Sequence, residues 1–248
     1  MNVRLFVAVF FMFDSCWVFA QNRIQFTTEI AQSFRYIEIT TTSPTLPLLK
    51  KTRNNIEKPK TVISYALEYG YSFHKNVTIF SGIGYTGFGY WYIDAKADDL
   101  RWPSQINNPG AGIQDSVDYK SGGELKYFSV PLAIMYEQKL TNKFSVFLRG
   151  GVGFDMFFKG KSIVIKNNDR EISYIKDSSE TYRNINLHSD LRIGGGYNFH
   201  KNMILQMAYQ YETQAFSANK KGNLYDYMYN HGLSVSWVWQ FSKNKKIF

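Results

Sequence analysis

The feature that most constrains this chain is a two-residue rhythm, repeated about eight times and interrupted by connections that are by turns short and long. Between Val62 and Phe73 the bulky residues Ile63, Tyr65, Leu67, Tyr69, Tyr71 and Phe73 hold one parity. Ser64, Ala66, Glu68, Gly70 and Ser72 hold the other. A period of two places the two sets on opposite faces of a β-strand. Three residues, His74-Lys75-Asn76, then suffice to reach the next such stretch at Val77, whereas the connections before Val62 and after Ile93 are several times longer. Tight turns at one end and wide loops at the other describe a transmembrane β-barrel.

The alternation predicts strands over approximately 23–39, 62–73, 77–93, 125–137, 144–158, 184–199, 203–216 and 229–241. The first is the weakest, because Thr28 and Gln32 fall on its apolar side. Tight connections lie at 74–76, 138–143 and 200–202, and wide ones at 40–61, 94–124, 159–183 and 217–228. An even count leaves both termini on the tight-turn side, the periplasmic side of an outer-membrane barrel. Within the third wide connection, alternation over 162–166 and 171–175 around Asn167-Asn168-Asp169 predicts a hairpin standing above the membrane. The expected architecture is all-β: an eight-stranded antiparallel up-and-down transmembrane barrel.

Residues 1–20 read as a secretory signal. Arg4 precedes the apolar run Leu5 to Phe13, and Val18-Phe19-Ala20 supplies small residues at the cleavage site before Gln21. Phe13 and Asp14 fit a lipoprotein cleavage ahead of Cys16 poorly. Cys16 is the sole cysteine and leaves with the signal, so disulfide, thiolate-metal and cysteine-nucleophile chemistry are not expected. A barrel domain over 21–241 and a basic periplasmic tail over 242–248 remain. The average hydropathy is slightly polar, as suits strands that show lipid only alternate residues. The formal charge of +9 survives signal removal, but its lysines are spread over loops and turns, not gathered on a groove, which argues against nucleic-acid binding.

The bulky parity also carries aromatics at two levels. Tyr136, Tyr197, Phe199, Trp237, Trp239 and Phe241 cluster at the turn end, and Tyr36, Phe128, Tyr209, Tyr211 and Tyr229 toward the loop end, with Val130, Leu132 and Ile134 between. Such girdles match the two interfaces of a bilayer and set the chain apart from a soluble barrel. The last strand, Asn230-His231-Gly232-Leu233-Ser234-Val235-Ser236-Trp237, resembles the carboxy-terminal signal read by the outer-membrane barrel assembly machinery. It departs from that pattern in its basic tail and in the final Phe248.

The segment Tyr127-Phe128-Ser129-Val130-Pro131-Leu132-Ala133-Ile134-Met135-Tyr136 resembles the hallmark of PorT-like outer-membrane β-barrel proteins, in which a tyrosine precedes a short hydrophobic stretch, then Val or Ile, Pro and several aliphatics. Arg149-Gly150-Gly151-Val152-Gly153-Phe154 and Gly194-Gly195-Gly196-Tyr197-Asn198-Phe199 resemble that family's glycine-rich fifth and sixth strands. The resemblance implies an eight-stranded barrel and, for the name-giving branch, an accessory part in type IX protein secretion. Because proline cannot donate to a ladder and a closed barrel has no free edge, Pro131 predicts a bulge in strand four.

An eight-stranded barrel is just wide enough for its inward side chains to fill it. The inward parity here carries many glycines and the charges Glu29, Arg35, Glu68, Arg149, Asp155, Asp190, Arg192 and Glu212. Buried charges must be paired, so a salt-bridge network plugging the lumen is expected, with a small pore as the second reading. A surface enzyme acting on lipid comes third. His188 and Asp190 face the lumen together, but no serine joins them at a matching parity, and the outward neighbours of His231 are Tyr229 and Leu233. Asp94, Asp98 and Asp99 lack the acidic alternation and glycine of a calcium loop, so no metal and no cofactor is expected.

Two surfaces suit partners. Lys50, Lys51, Arg53, Lys58 and Lys60 make the first wide loop basic, fit to pair with the acidic second loop (Asp94, Asp98, Asp99, Asp115, Asp118) or with lipopolysaccharide phosphates. The turn face carries Lys75, Lys139, Lys143, Lys201, Lys243, Lys245 and Lys246 against Glu137 as its main acid, a surface for an acidic periplasmic protein, such as a secretion component, or for lipid phosphates.

Overall fold

The computed structural model describes residues 21–39, 57–95, 119–166, 169–175, 184–218 and 224–242. The leader 1–20, the loop charges Lys50, Lys51, Arg53, Asp98, Asp99, Asp115 and Asp118, and the tail lysines Lys243, Lys245 and Lys246 lie outside the described residues. The described strands are β1 (Gln21–Ile39), β2 (Glu57–His74), β3 (Val77–Ala95), β4 (Tyr119–Lys139), β5 (Phe144–Lys166), β6 (Asp169–Ile175), β7 (Ile185–His200), β8 (Met203–Gln214) and β9 (Leu224–Ser242). Every pairing is antiparallel.

Sequential neighbours run from β4 back through β3, β2 and β1 to β9, β8, β7 and β5, and the β4–β5 ladder closes the ring. The first and last strands are zipped from Gln21↔Ser242 to Ile39↔Leu224. β6 pairs with β5 alone, from Lys166↔Asp169 to Gly160↔Ile175, and is the hairpin arm read from the sequence. Eight strands therefore form the wall of an up-and-down transmembrane barrel.

Four strands overshoot their predicted loop ends by five residues or more: β2 starts at Glu57, β4 at Tyr119 and β9 at Leu224, while β5 continues to Lys166. Alternation reports a wall with one apolar and one polar side. Above the membrane that contrast lapses, although the ladder continues through pairs such as Tyr90↔Gly123 and Gly123↔Ser162.

The faces are inverted relative to a soluble protein. Ile30, Ile63, Leu67, Leu132, Ile134, Ile193 and Leu233 all point outward and exposed, and Ile83 is 67% exposed. Arg23, Glu29, Glu68, Arg149, Asp155 and Arg192 are buried. Only a solvent that welcomes hydrocarbon makes such an exterior stable. Aromatics bracket the aliphatic band as pairs and trios. At the turn end Phe144 lies 5.1 Å from Tyr197 and Phe199 5.8 Å from Trp237, centroid to centroid. At the loop end Phe128 stands 4.7 Å from Phe158, and Phe34 stacks 5.0 Å from Tyr229. The two polar intruders on strand one are accommodated: Thr28 is half-buried, and the Gln32 amide donates to Thr61 Oγ1 at 3.1 Å.

Pro131 does not sit at a bulge. It pairs with Gly153 on β5, and β4 keeps its register there. On the β3 side the pairing lapses between Ser81↔Leu132 and Gly84↔Ser129 and resumes in the same register. The wall tolerates the missing donor by opening the ladder opposite Gly82 and Ile83, which needs no inserted residue. The β4–β5 irregularity lies higher, between Lys126↔Lys159 and Tyr127↔Phe157, where Phe158 is the extra residue.

Candidate functional site

The inward parity of β5 (Ser145, Phe147, Arg149, Asp155 and Phe157) marks successive levels of a filled lumen. At the floor Arg23 of β1 reaches Glu137 of β4 at 2.6 Å, and the Ser145 hydroxyl donates to the same carboxylate at 2.7 Å. Above it lies an apolar layer of Phe80, Ala133, Met135, Phe147 and Ala208.

The middle level is ionic. Arg149 donates to both oxygens of Glu68, at 2.8 and 2.5 Å, in the bidentate geometry that suits a guanidinium and a carboxylate. Its Nε lies 3.9 Å from Asp190, which also accepts from Arg192 Nε at 3.1 Å. Arg192 in turn meets Glu29 at 2.8 Å, and Gln210 donates to the other Glu29 oxygen at 3.1 Å. Five charged side chains from β1, β2, β5 and β7 thus run across the lumen in one chain of contacts, all buried.

One level higher, His188 is clamped between two acids. Its Nδ1 lies 2.8 Å from Asp155 and its Nε2 3.4 Å from Glu212. Asn230 binds the second Glu212 oxygen at 2.9 Å and the Gly87 carbonyl at 3.0 Å. Gly153 makes room for the imidazole, since a Cβ there would stand 2.1 Å from His188 Cε1. An apolar cap of Phe88, Leu125, Tyr127, Ala218 and Met228 seals the top, with Tyr90 and Phe157 packed against it.

Glu29, Glu68, Arg149, Asp190 and Arg192 therefore come together, and Asp155 and Glu212 join the adjoining level through His188. Arg35 does not belong to either. It sits at the outer rim, paired with Glu57, 3.5 Å from Asp226, with its guanidinium 3.6 Å from the Tyr90 ring centre. His188 and Asp190 form no dyad, because each is engaged elsewhere. His231 faces outward, stacked 5.1 Å from Phe34. Sequence reasoning placed Glu137 on the turn face and passed over Arg23. The parity they share with Ala133 and Glu29 was the signal that puts both inside.

A void of about 20 Å³ lies at the ionic level, bordered by Glu29, Glu68, His188, Asp190, Arg192 and Glu212. That is room for about one water, not a solute. Among the described residues no group of three or more His, Cys, Asp or Glu is arranged to hold a metal ion.

The turn end offers a different chemistry. Lys75, Lys139, Lys143 and Lys201 are exposed. With Glu137 drawn into the lumen, the described turns 74–76, 138–143 and 200–202 present no acidic side chain. At the loop end Lys58 and Lys60 belong to β2, not to the loop; Lys58 is exposed and Lys60 is buried.

No family model and no curated protein matches this chain. Among solved structures it is similar to Neisserial surface protein A at 13% identity, covering 89% of this chain and 97% of that one with a TM-score of 0.42. A major outer membrane protein from Thermus thermophilus follows at 10% identity, with 88% and 99% covered and a TM-score of 0.42. The outer membrane protease OmpT from Escherichia coli gives 8% identity, 90% and 97% covered, and a TM-score of 0.41. The geometry of the chain itself, apolar outside, charged and filled within, is that of a closed eight-stranded transmembrane β-barrel.

Proposed function

We propose that this protein is a non-enzymatic, non-conducting barrel of an outer membrane whose work is binding or assembly at its two ends. The observation that carries the reading is the middle of the lumen, where Glu68, Arg149, Asp190, Arg192 and Glu29 lie in one chain of contacts beside a void of about 20 Å³. A wall so filled gives solutes no route, and a histidine held by two acids under an apolar cap gives a substrate none either. What stays accessible is the rim and the turn face.

The turn face is the stronger candidate for a protein partner, because Lys75, Lys139, Lys143 and Lys201 are exposed there without a neighbouring carboxylate. Its partner on this reading is an acidic periplasmic protein. The PorT-like segment at Tyr127 to Tyr136 points to protein secretion as the setting. Co-purification of the tagged protein from detergent-solubilised outer membranes tests this. Recovery of a periplasmic or secretion component in fixed proportion, lost when Lys139, Lys143 and Lys201 are changed to Glu, is the expected result. Recovery of the barrel alone, or of the same partners with the reversed charges, would refute the turn-face assignment.

A further inference from the structure

On the outer wall, where β2 to β5 rise past the loop-end girdle, three lysines converge on one carboxylate. Lys60 Nζ lies 3.1 Å and Lys161 Nζ 3.3 Å from Glu124 Oε2, and Lys126 Nζ lies 3.0 Å from Glu124 Oε1. Among the described residues Glu124 is the one acid within ion-pair distance of any of the three, so among those residues three lysines share one carboxylate, an excess of two positive charges. Lys159, in register with Lys126, adds a further exposed cation. Like charges gathered this closely repel one another, and a polyanionic ligand relieves that repulsion.

The height of the cluster identifies the kind of anion. On the outward face of β4, Phe128 at the loop-end girdle and Tyr136 at the turn-end girdle are separated by roughly 27 Å of strand. At a tilt of about 40° that spans a height of about 20 Å, close to the apolar band of a transmembrane barrel. Lys126 lies two residues beyond Phe128, about 7 Å further along the strand, and therefore at headgroup level. Immediately below the cations is a ring trio open to lipid. Phe128 and Phe158 are 4.7 Å apart, and Tyr85 stands 6.3 and 6.4 Å from them. Lys126 Nζ is 5.0 Å from the Tyr85 ring centre, which ties the cationic and aromatic layers together. Lys60 lies 4.6 Å over the Trp91 ring and is buried, so part of the cluster is fixed in place.

We infer that the Lys60–Lys126–Lys161 cluster binds the phosphate of a membrane glycolipid headgroup, with the acyl chains lying against Tyr85, Phe128 and Phe158. The phosphate takes the two charges that Glu124 leaves uncompensated, while the ring trio selects an anion carrying hydrocarbon over a free one. This draws on the barrel's placement in the bilayer and not on whether its lumen conducts or its turn face holds a partner.

Native mass spectrometry of the detergent-purified protein tests it, titrating bisphosphorylated lipid A against the same lipid stripped of phosphate. The expected result is one tightly bound bisphosphorylated lipid, at least tenfold weaker binding in K126Q/K161Q, and retention in K126R/K161R. Inorganic phosphate at the same concentration should not compete. The shift of the folded barrel in unheated electrophoresis verifies that each variant is folded. Equal binding of the phosphate-free lipid, or undiminished binding in folded K126Q/K161Q, would overturn the site. Competition by inorganic phosphate would overturn the lipid specificity.

Discussion

Arg149 and Glu68 meet face to face inside the barrel, one from β5 and the other from β2, three strands apart around the ring, through two hydrogen bonds of 2.8 and 2.5 Å. Both are almost fully shielded from solvent. Removing one partner strands the other charge, a loss worth about 3–5 kcal/mol for a buried pair, whereas removing both relieves part of that cost. Glu68→Ala and Arg149→Ala should each lower the unfolding free energy in detergent by about that amount, and the double variant by less than their sum. Additive losses in a urea-unfolding cycle would show that the pair is not coupled.

The wall itself gives a depth-dependent expectation. Leu132 is outward and exposed in the aliphatic band, while Phe128 lies in the loop-end girdle. Arginine at the midplane of a barrel costs about 2–4 kcal/mol, falling to about 0–1 near the interfaces. Leu132→Arg should therefore destabilise the lipid-refolded protein substantially more than Phe128→Arg. Equal effects would mean that the band is misplaced.

Gly194 illustrates how closely the strands approach. A Cβ at this position would stand 2.1 Å from the Met207 carbonyl oxygen, a backbone atom with little freedom to retreat. Gly194→Ala should cost about 1–3 kcal/mol or reduce folding yield, as overpacking does. Gly150, where nothing lies within 4 Å, should accept alanine with little effect. Comparing heat-modifiable electrophoretic mobility of the two variants checks both.

Acid should weaken the lipid-level cluster over a well-defined window. Burial on its own would raise the Glu124 carboxyl, but the hydrogen bond from Lys126 and the charge of Lys60 hold it down at about 2. A carboxylate depressed in the folded state contributes stability that is complete above its unfolded value of about 4.3. That contribution fades as pH falls from there toward 2. Urea midpoints should show an acid-limb loss between about pH 4.5 and 2 that Glu124→Gln reduces. An unchanged limb in that variant would show that other carboxyls carry it.

The fold was readable because the lipid-facing wall enforces a period of two wherever it meets hydrocarbon. Val62 to Phe73 and Val130 to Ile134 declare their faces in this way, and the short turns count the strands. Alternation stops at the bilayer edge, which is why the upper parts of β2, β4, β5 and β9 were not visible. The interior was partly legible, since Glu29, Glu68, Arg149 and Arg192 share an inward parity and similar heights. Parity says nothing about which strand bends or how far a long side chain reaches. Arg35 consequently lies with Glu57 and Asp226 at the rim, and Lys60 reaches Glu124, contacts that depend on pairings distant in sequence. Sequence alone says that the missing donor at Pro131 must be accommodated, and the choice between an inserted residue and an opened ladder is made by the neighbouring strand.

Planar-bilayer recording of the purified protein, alone and as the E68A/R149A variant, tests the closed lumen most directly. The wild-type protein should insert without resolvable conductance steps, and the variant, with the central ion pair of its ionic layer removed, should show small steps or transient openings. Steady steps from the wild-type barrel, unaltered by loss of Glu68 and Arg149, would contradict the account and identify a pore whose path avoids that layer.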